Sequence, residues 1–253
     1  MHNTFCLTVP MLAAGLAAMP AAGGIPGISR ISGSADLQFD VGGFRNSIDA
    51  DDSGDARLSL NTDGDALPGG LFWSDLSEVE VDLGPTAGRI SSDAAFEASD
   101  QFFSYSQFVS GSGSVAQGDQ FGGNYNGRAN FFVSFDAPTL VDIVIRLEST
   151  GPLIGDGVSA SVRVSGIAGQ GPIELQYNDG EPAGVQEFSI RTTIDSPRAV
   201  IFDMNADLNL NPDQGFPVSY GGIELFGSIT VVPTPGAAAL LSLGGLVAGR
   251  RRR

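Results

Sequence analysis

The chain has 253 residues, with thirteen arginines and no lysine against twenty-nine acids (formal charge −16), one cysteine, Cys6, and one histidine, His2. Both of those lie in an N-terminal stretch that reads as a leader, so the body lacks the groups for Ser-His-Asp or Cys-His catalysis, a His/Cys zinc site, haem ligation or a Schiff-base lysine. Its acidity also argues against nucleic acid or anionic lipid as a partner of the body.

In chain order, Phe5 to Ala18 is a largely apolar run followed by Ala21-Ala22-Gly23-Gly24. Residues 1–24 therefore read as a secretory signal peptide, removed by signal peptidase. Pro10 and Pro20 interrupt the competing reading, a short core helix. Residues 25–231 form the second unit and hold nine arginines and all twenty-nine acids, a charge of −20.

Thirty-five glycines and fourteen prolines punctuate short β-branched and aromatic runs, the pattern of many strands joined by turns. A first strand is predicted over 32–44 and another over 57–61. Next, Val79, Val81 and Leu83 alternate with Glu78, Glu80 and Asp82, as on a half-buried strand. Residues 93–99 suggest one or two turns of helix. Residues 101–109 are aromatic-rich, and Ser110 to Gly127 reads as a long exposed polar loop. Strands are predicted over 130–135, 140–148, 158–166, 173–177, 185–194, 198–210 and 222–231. Without helices between them they favour an all-β, antiparallel, jelly-roll-like sandwich.

The last unit, 232–253, reads VPTPGAAALLSLGGLVAGRRRR. Gly236 to Gly249 is fourteen residues without a charge. As a helix it would span about 21 Å, against a bilayer core of about 30 Å. Such a helix engages a membrane transiently better than it anchors there. Arg250, Arg251, Arg252 and Arg253 favour the cytoplasmic side. Pro233 and Pro235 keep the turn extended and open to a peptidase.

With its Pro-x-Pro turn, short apolar helix and terminal arginine cluster, this tail resembles the PEP-CTERM sorting signal of exopolysaccharide-producing Gram-negative bacteria. The same segment also goes under the name of an ice-binding-protein C-terminal domain. The resemblance covers the last twenty-two residues and rests on Val232, Pro233, Thr234, Pro235 and Gly236, with Thr234 standing where the family usually has glutamate. It implies recognition by exosortase, transient inner-membrane insertion, cleavage near the turn, and delivery to the cell surface or extracellular space. The stretch FFVSFDAPTLVDIVIRLES, residues 131–149, is similar to paired strands in the bodies of such proteins.

Two acidic clusters offer oxygen ligands for calcium, and no other cofactor is expected. In the first, Asp49, Asp51, Asp52 and Asp55 sit in a predicted turn. Counted from Asp49 as an EF-hand loop, Gly54 falls at the required place but Leu60 stands where a carboxylate is needed. In the second, Asp203, Asn205, Asp207, Asn209 and Asn211 alternate, which equally describes a strand with one polar face. Trp73, Tyr105, Tyr125, Tyr177 and Tyr220 offer rings for stacking a sugar, or simply core packing. Regular Thr-x-Thr ladders suited to an ice lattice are absent. The expectation is thus an exported, non-catalytic surface or matrix protein associated with extracellular polysaccharide. The rivals are a carbohydrate-binding or calcium-dependent adhesive module, and a glycan hydrolase or lyase using paired carboxylates.

Overall fold

The computed structural model describes residues 27–62, 70–150, 158–178, 181–195, 197–211 and 218–233, with side chains except at 218–221. These residues make two six-stranded antiparallel sheets and no helix. The strands are β1 (Ile28–Arg45), β2 (Ile48–Thr62), β3 (Leu71–Asp82), β4 (Ala87–Ala98), β5 (Phe102–Ser114), β6 (Gln120–Phe135), β7 (Thr139–Thr150), β8 (Val158–Ser165), β9 (Ile173–Asn178), β10 (Gly184–Ile194), β11 (Ala199–Leu210) and β12 (Val218–Val231). The first sheet runs β2-β1-β6-β11-β8-β9 and the second β10-β7-β12-β5-β4-β3.

The sheets stack so that β1 lies over β3 and β4, β6 over β4 and β5, β11 over β5 and β12, and β8 over β12 and β7. Strands β5 to β12 alone give the orders β6-β11-β8-β9 and β5-β12-β7-β10, the interleaving of a jelly roll. The N-terminal strands widen it: β1 and β2 continue the first sheet beyond β6, and β4 and β3 continue the second beyond β5. The β1–β2 hairpin closes with Asn46 and Ser47 at φ 49° and 69°, the left-handed pair that a two-residue turn needs to match strand twist.

The period-two alternation puts one apolar row of every central strand between the sheets. At mid-sandwich, Phe131 sits with its ring centroid 5.0 Å from Tyr105, 5.5 Å from Phe103 and 5.5 Å from Phe96, and Phe202 lies 5.1 Å from Phe103. A polar chain crosses the same interior. The Tyr105 hydroxyl donates to Gln107 Oε1 at 3.1 Å, and Gln107 Nε2 donates to the Tyr125 hydroxyl at 2.7 Å. The Ser92 hydroxyl lies 3.3 Å from the Tyr125 hydroxyl. Burial pushes the Tyr105 phenol up and raises that of Tyr125 to about 12, so both hydroxyls stay neutral at ordinary pH.

Three local expectations are corrected. The polar stretch 110–127 is the end of β5, a short connection and the first half of β6. In Ser110-Gly111-Ser112-Gly113-Ser114 the serines face out and the glycines face in. A Cβ on Gly113 would lie 2.6 Å from the Phe121 ring, and one on Gly111 3.0 Å from Leu208 and Leu210. Neighbouring strands therefore supply the apolar bulk that this segment itself lacks. Residues 93–98 are strand, not helix, with Ala94, Phe96 and Ala98 buried. The acidic stretch 49–55 is part of β2, not a turn.

Each open side of the sandwich carries a clasp. On one side Asp52 of β2 accepts the backbone N–H of Glu80 on β3 at 3.1 Å. On the other, Gln186 Nε2 of β10 donates to the Gln176 carbonyl on β9 at 2.7 Å. Side chains so placed occupy edge groups that would otherwise template pairing with another chain.

Candidate functional site on the outer face of the first sheet

Register fixes what the first sheet shows to solvent. Outward from β6, Asn130 stands between Ser34 and Asp203, Arg128 between Asp36 and Asn205, Asn126 between Gln38 and Asp207, and Asn124 between Asp40 and Asn209. Beyond β11 the rows continue through Arg163 and Glu174, Ser161 and Gln176, and Ser159 and Asn178. Beyond β1 they reach Ser59, Arg57, Asp55 and Ser53 on β2. These side chains recur about every 4.8 Å across the sheet and about 6.7 Å along it. Every position is carried by hydrogen-bonded strand, so the array is rigid.

One kind of bond recurs across it. Asn124 Nδ2 donates to Asp40 at 3.2 Å, Gln38 Nε2 to Asp36 at 3.4 Å and Gln176 Nε2 to Glu174 at 2.6 Å. Asn126 likewise donates to Asp207, and Asn130 to Asp203. A carboxylate only accepts, so each amide must turn its NH2 inward along the face and its carbonyl away. The second carboxylate oxygens and the amide carbonyls remain as acceptors. Arg57 Nε sits 3.4 Å from both Asp36 and Asp55. Exposed rings flank the array at both ends: Phe132 on β6, 40% exposed, and Phe44 on β1, 44% exposed. Twelve residues of β1 separate the two rows, about 40 Å.

The expected site residues fall as follows. Asp203, Asn205, Asp207 and Asn209 line the outward face of β11, as the strand reading had it, and join the array. Asn211 follows β11, just past its end. Asp49, Asp51 and Asp55 occupy alternate outward positions on β2, and Asp52 points the other way, into its clasp. Among the described residues no group of three or more His, Cys, Asp or Glu is placed to hold a metal ion. Tyr105, Tyr125 and Tyr177 are buried and so not free to stack a sugar, and Trp73 is half-buried against the core. The side chain of Tyr220 lies outside the described residues.

Sequence reasoning missed Asn124, Asn126, Arg128 and Asn130 as site residues: the first two fell in the stretch read as loop, Arg128 between it and the next strand, and Asn130 at the start of a predicted strand. Their period of two was the available signal. Asp93, facing out on β4, is the carboxyl pushed above its ordinary range, first by burial and then by Asp75. Asp75 is on the opposite face of the β3–β4 ladder and accepts from Ser77 at 2.6 Å.

Val232 and Pro233 sit at the exit of β12, and the Val232 N–H donates to the Leu140 carbonyl at 2.8 Å. Thr234, Pro235, Gly236, the arginine cluster 250–253 and the leader 1–24 lie outside the described residues. Among the described residues no helix is long and apolar enough to cross a membrane.

No family model matches the chain, and no curated protein sequence matches it. Solved structures with some likeness include TmCBM61 in complex with β-1,4-galactotriose, at 8% identity and TM-score 0.28, covering 65% of this chain and 88% of that one. The enzymatically active domain of bacteriophage CBA120 tailspike protein 4 follows at 12% identity and TM-score 0.24, covering 63% of this chain and 19% of that one. The infectious bursal disease virus VP2 subviral particle is similar at 10% identity and TM-score 0.24, over 83% of this chain and 60% of that one. At these TM-scores the likenesses carry no argument about what the chain does.

Proposed function

We propose that this is an exported, non-catalytic protein of the cell surface or extracellular matrix, delivered through its PEP-CTERM-like tail. Its sandwich contacts extracellular polysaccharide through the outer face of the first sheet. The observation that carries the contact is the amide-to-carboxylate array on β1, β6, β11 and β9, a rigid set of acceptors at regular spacing with an exposed ring beyond each end. Polysaccharide chains offer hydroxyls at short repeats and apolar ring faces, which such a surface can engage along its length. The sorting reading is supported by where the fold ends: Pro233 is exposed and directly follows the residue that makes the Val232–Leu140 bond. Cleavage near the Pro-x-Pro turn would leave that bond in place.

Two experiments test the proposal. Retention of the full chain on a panel of immobilised polysaccharides is expected, weakened in Asn126→Ala/Asn130→Ala and unchanged in Ser104→Ala/Ser106→Ala on the second sheet. Retention of none of the panel, or equal retention by both variants, overturns the contact. For sorting, intact mass of the protein from its producer should show loss of the leader and of everything beyond about Pro235. A mass that retains Arg250 to Arg253 overturns it.

A further inference from the structure

We infer that two copies of this chain pair through the free edge of β3. Among the described residues the strands at sheet edges are β2 and β9 in the first sheet and β3 and β10 in the second. Large exposed apolar side chains are sparse on the other three: Ile48 begins β2, Val185 lies at the start of β10, and β9 has none. On β3, Phe72 is 63% exposed and Leu76 80%, both on the outer face. An edge strand with that pattern templates pairing unless something covers it.

The backbone of β3 indicates what covers it. The Glu80 N–H turns out to Asp52 rather than into the β4 ladder. Groups alternate along an antiparallel pair, so the N–H and C=O of Phe72, Ser74, Leu76 and Glu78 also point to the free edge. The occupant that fits such a row is an extended strand, which meets it with one main-chain bond after another. The acidic end of β3, which a basic foreign strand would seek, is the end whose edge Asp52 already holds. The segment from Leu71 to Ser77 is left, and it complements itself.

Antiparallel pairing centred on Ser74 sets Phe72 of each copy opposite Leu76 of the other, an aromatic–aliphatic cross-strand pair made twice across a two-fold axis. On the inner side Trp73 stands opposite the second copy's Asp75, an indole N–H that only donates beside a carboxylate that only accepts. Centring the pair one residue further on, at Asp75, would put two carboxylates face to face. Centred on Ser74, Glu78 falls opposite Gly70, and the later acids stay beyond the overlap. So short an overlap belongs with the small interfaces, under about 1,200 Å² in total, so the pair is weak and forms with concentration. Both bodies are strongly acidic, so added salt tightens it. The two-fold axis stands perpendicular to the sheet, which leaves both first-sheet faces on one side of the pair. One polysaccharide chain can then meet two of them, a consequence that, unlike the pairing, rests on the polysaccharide reading above.

Sedimentation equilibrium of the full chain between about 1 and about 100 μM should show monomer passing to dimer, with more dimer at higher salt. Phe72→Ser/Leu76→Ser should weaken association about tenfold or more. Val185→Ser, on the edge strand β10, should leave it as it is. In a Cys6→Ser background, Ser74→Cys should give a disulfide-linked dimer on mild oxidation, because paired Cα atoms at that place lie about 5.5 Å apart. Ser106→Cys, in the middle of the same sheet, should not. A monomer across the whole range would overturn the inference, as would a dimer that survives the double serine variant or a Ser74→Cys that links no better than Ser106→Cys. Retention on immobilised polysaccharide should fall in the double serine variant while affinity for a short oligosaccharide stays the same. If no form of the chain is retained, the polysaccharide reading fails and sedimentation still decides the pairing.

Discussion

The two outer faces of the sandwich differ in the partners their carboxylates find. On the second sheet, carboxylates find arginine: Arg191 makes a two-pronged contact with Asp142 at 2.7 Å in both bonds, Arg146 pairs with Glu148, and Arg89 approaches Glu78 at 3.8 Å. Its centre is a field of serines, including Ser104, Ser106, Ser110 and Ser112. On the first sheet the carboxylates of β11 and Asp40 of β1 find amides instead. Charge alone does not separate the faces, since the second also carries Glu80, Asp82, Asp93, Glu97, Glu187 and Glu224 outward with no arginine bridged to them among the described residues. What sets the first apart is that its carboxylates are held by amides. A face needed only for solubility has no use for five amides each turned toward a carboxylate. That difference is why the ligand is assigned to the first sheet.

The largest effect that sharpens the comparison lies beneath the serine face. Gly113→Val should cost about 1–3 kcal/mol, because the new side chain meets the Phe121 ring and has to displace it. Ser112→Ala, one residue away and facing outward, should change stability by less than about 0.5 kcal/mol. Thermal melts of both decide whether that Ser-Gly alternation exists for the core beneath it. Equal, small shifts would reopen the serine face as a functional surface.

Next in size is alkaline unfolding. Tyr125 has its phenol raised from 10.0 to about 12 by burial, and Tyr105 is raised further still. A group whose folded pKa lies above its unfolded value stabilises fully below the unfolded value and loses that contribution as pH rises through the folded one. Melting temperature should therefore hold up to about pH 10 and fall steadily toward pH 12. Tyrosinate absorbance should lag behind that of free tyrosine until the fold opens. Early, full ionisation at pH 10 would show these rings to be wet, and would return them to consideration as sugar-stacking residues.

Smaller again is the edge clasp. Asp52→Ala frees the Glu80 N–H on β3 and should cost about 1 kcal/mol. It should also raise self-association in sedimentation, since an unguarded edge invites strand pairing. Asp52→Asn, which keeps an acceptor oxygen, should return self-association to that of the unsubstituted protein. The smallest effect is Arg191→Ala, which breaks an exposed pair with Asp142 and should shift the melting temperature little, the shift fading with salt. It should leave polysaccharide binding unchanged.

Much of this architecture was legible in the sequence, for a definite reason. Over 140–148, 158–166 and 198–210 large apolar residues alternate with polar ones, so period, strand and buried face coincide. The second acidic cluster was legible as a strand face on the same grounds. Legibility failed where the inward residue is small. Gly111, Gly113, Gly123 and Gly127 fill inward positions, and the volume there belongs to side chains such as Leu208, Leu210, Val41 and Ile90 from other strands and Phe121 and Tyr125 further along the stretch, so the runs of glycine and serine look like loop. Hidden in that stretch were the amides of β6 that make the face what it is. The bond Asp52 makes was illegible for a different reason: it lies in a contact between two edge strands, and no local spacing encodes that.

The measurement that tests the central claim most directly is carboxyl footprinting by mass spectrometry of the full chain, with and without a bound polysaccharide. Asp40, Asp203 and Asp207 should be protected when the glycan is present, while Asp142, Glu148 and Glu78 on the opposite face should label as before. Protection of the second sheet, or of neither, would contradict the assignment of the first sheet as the contact face.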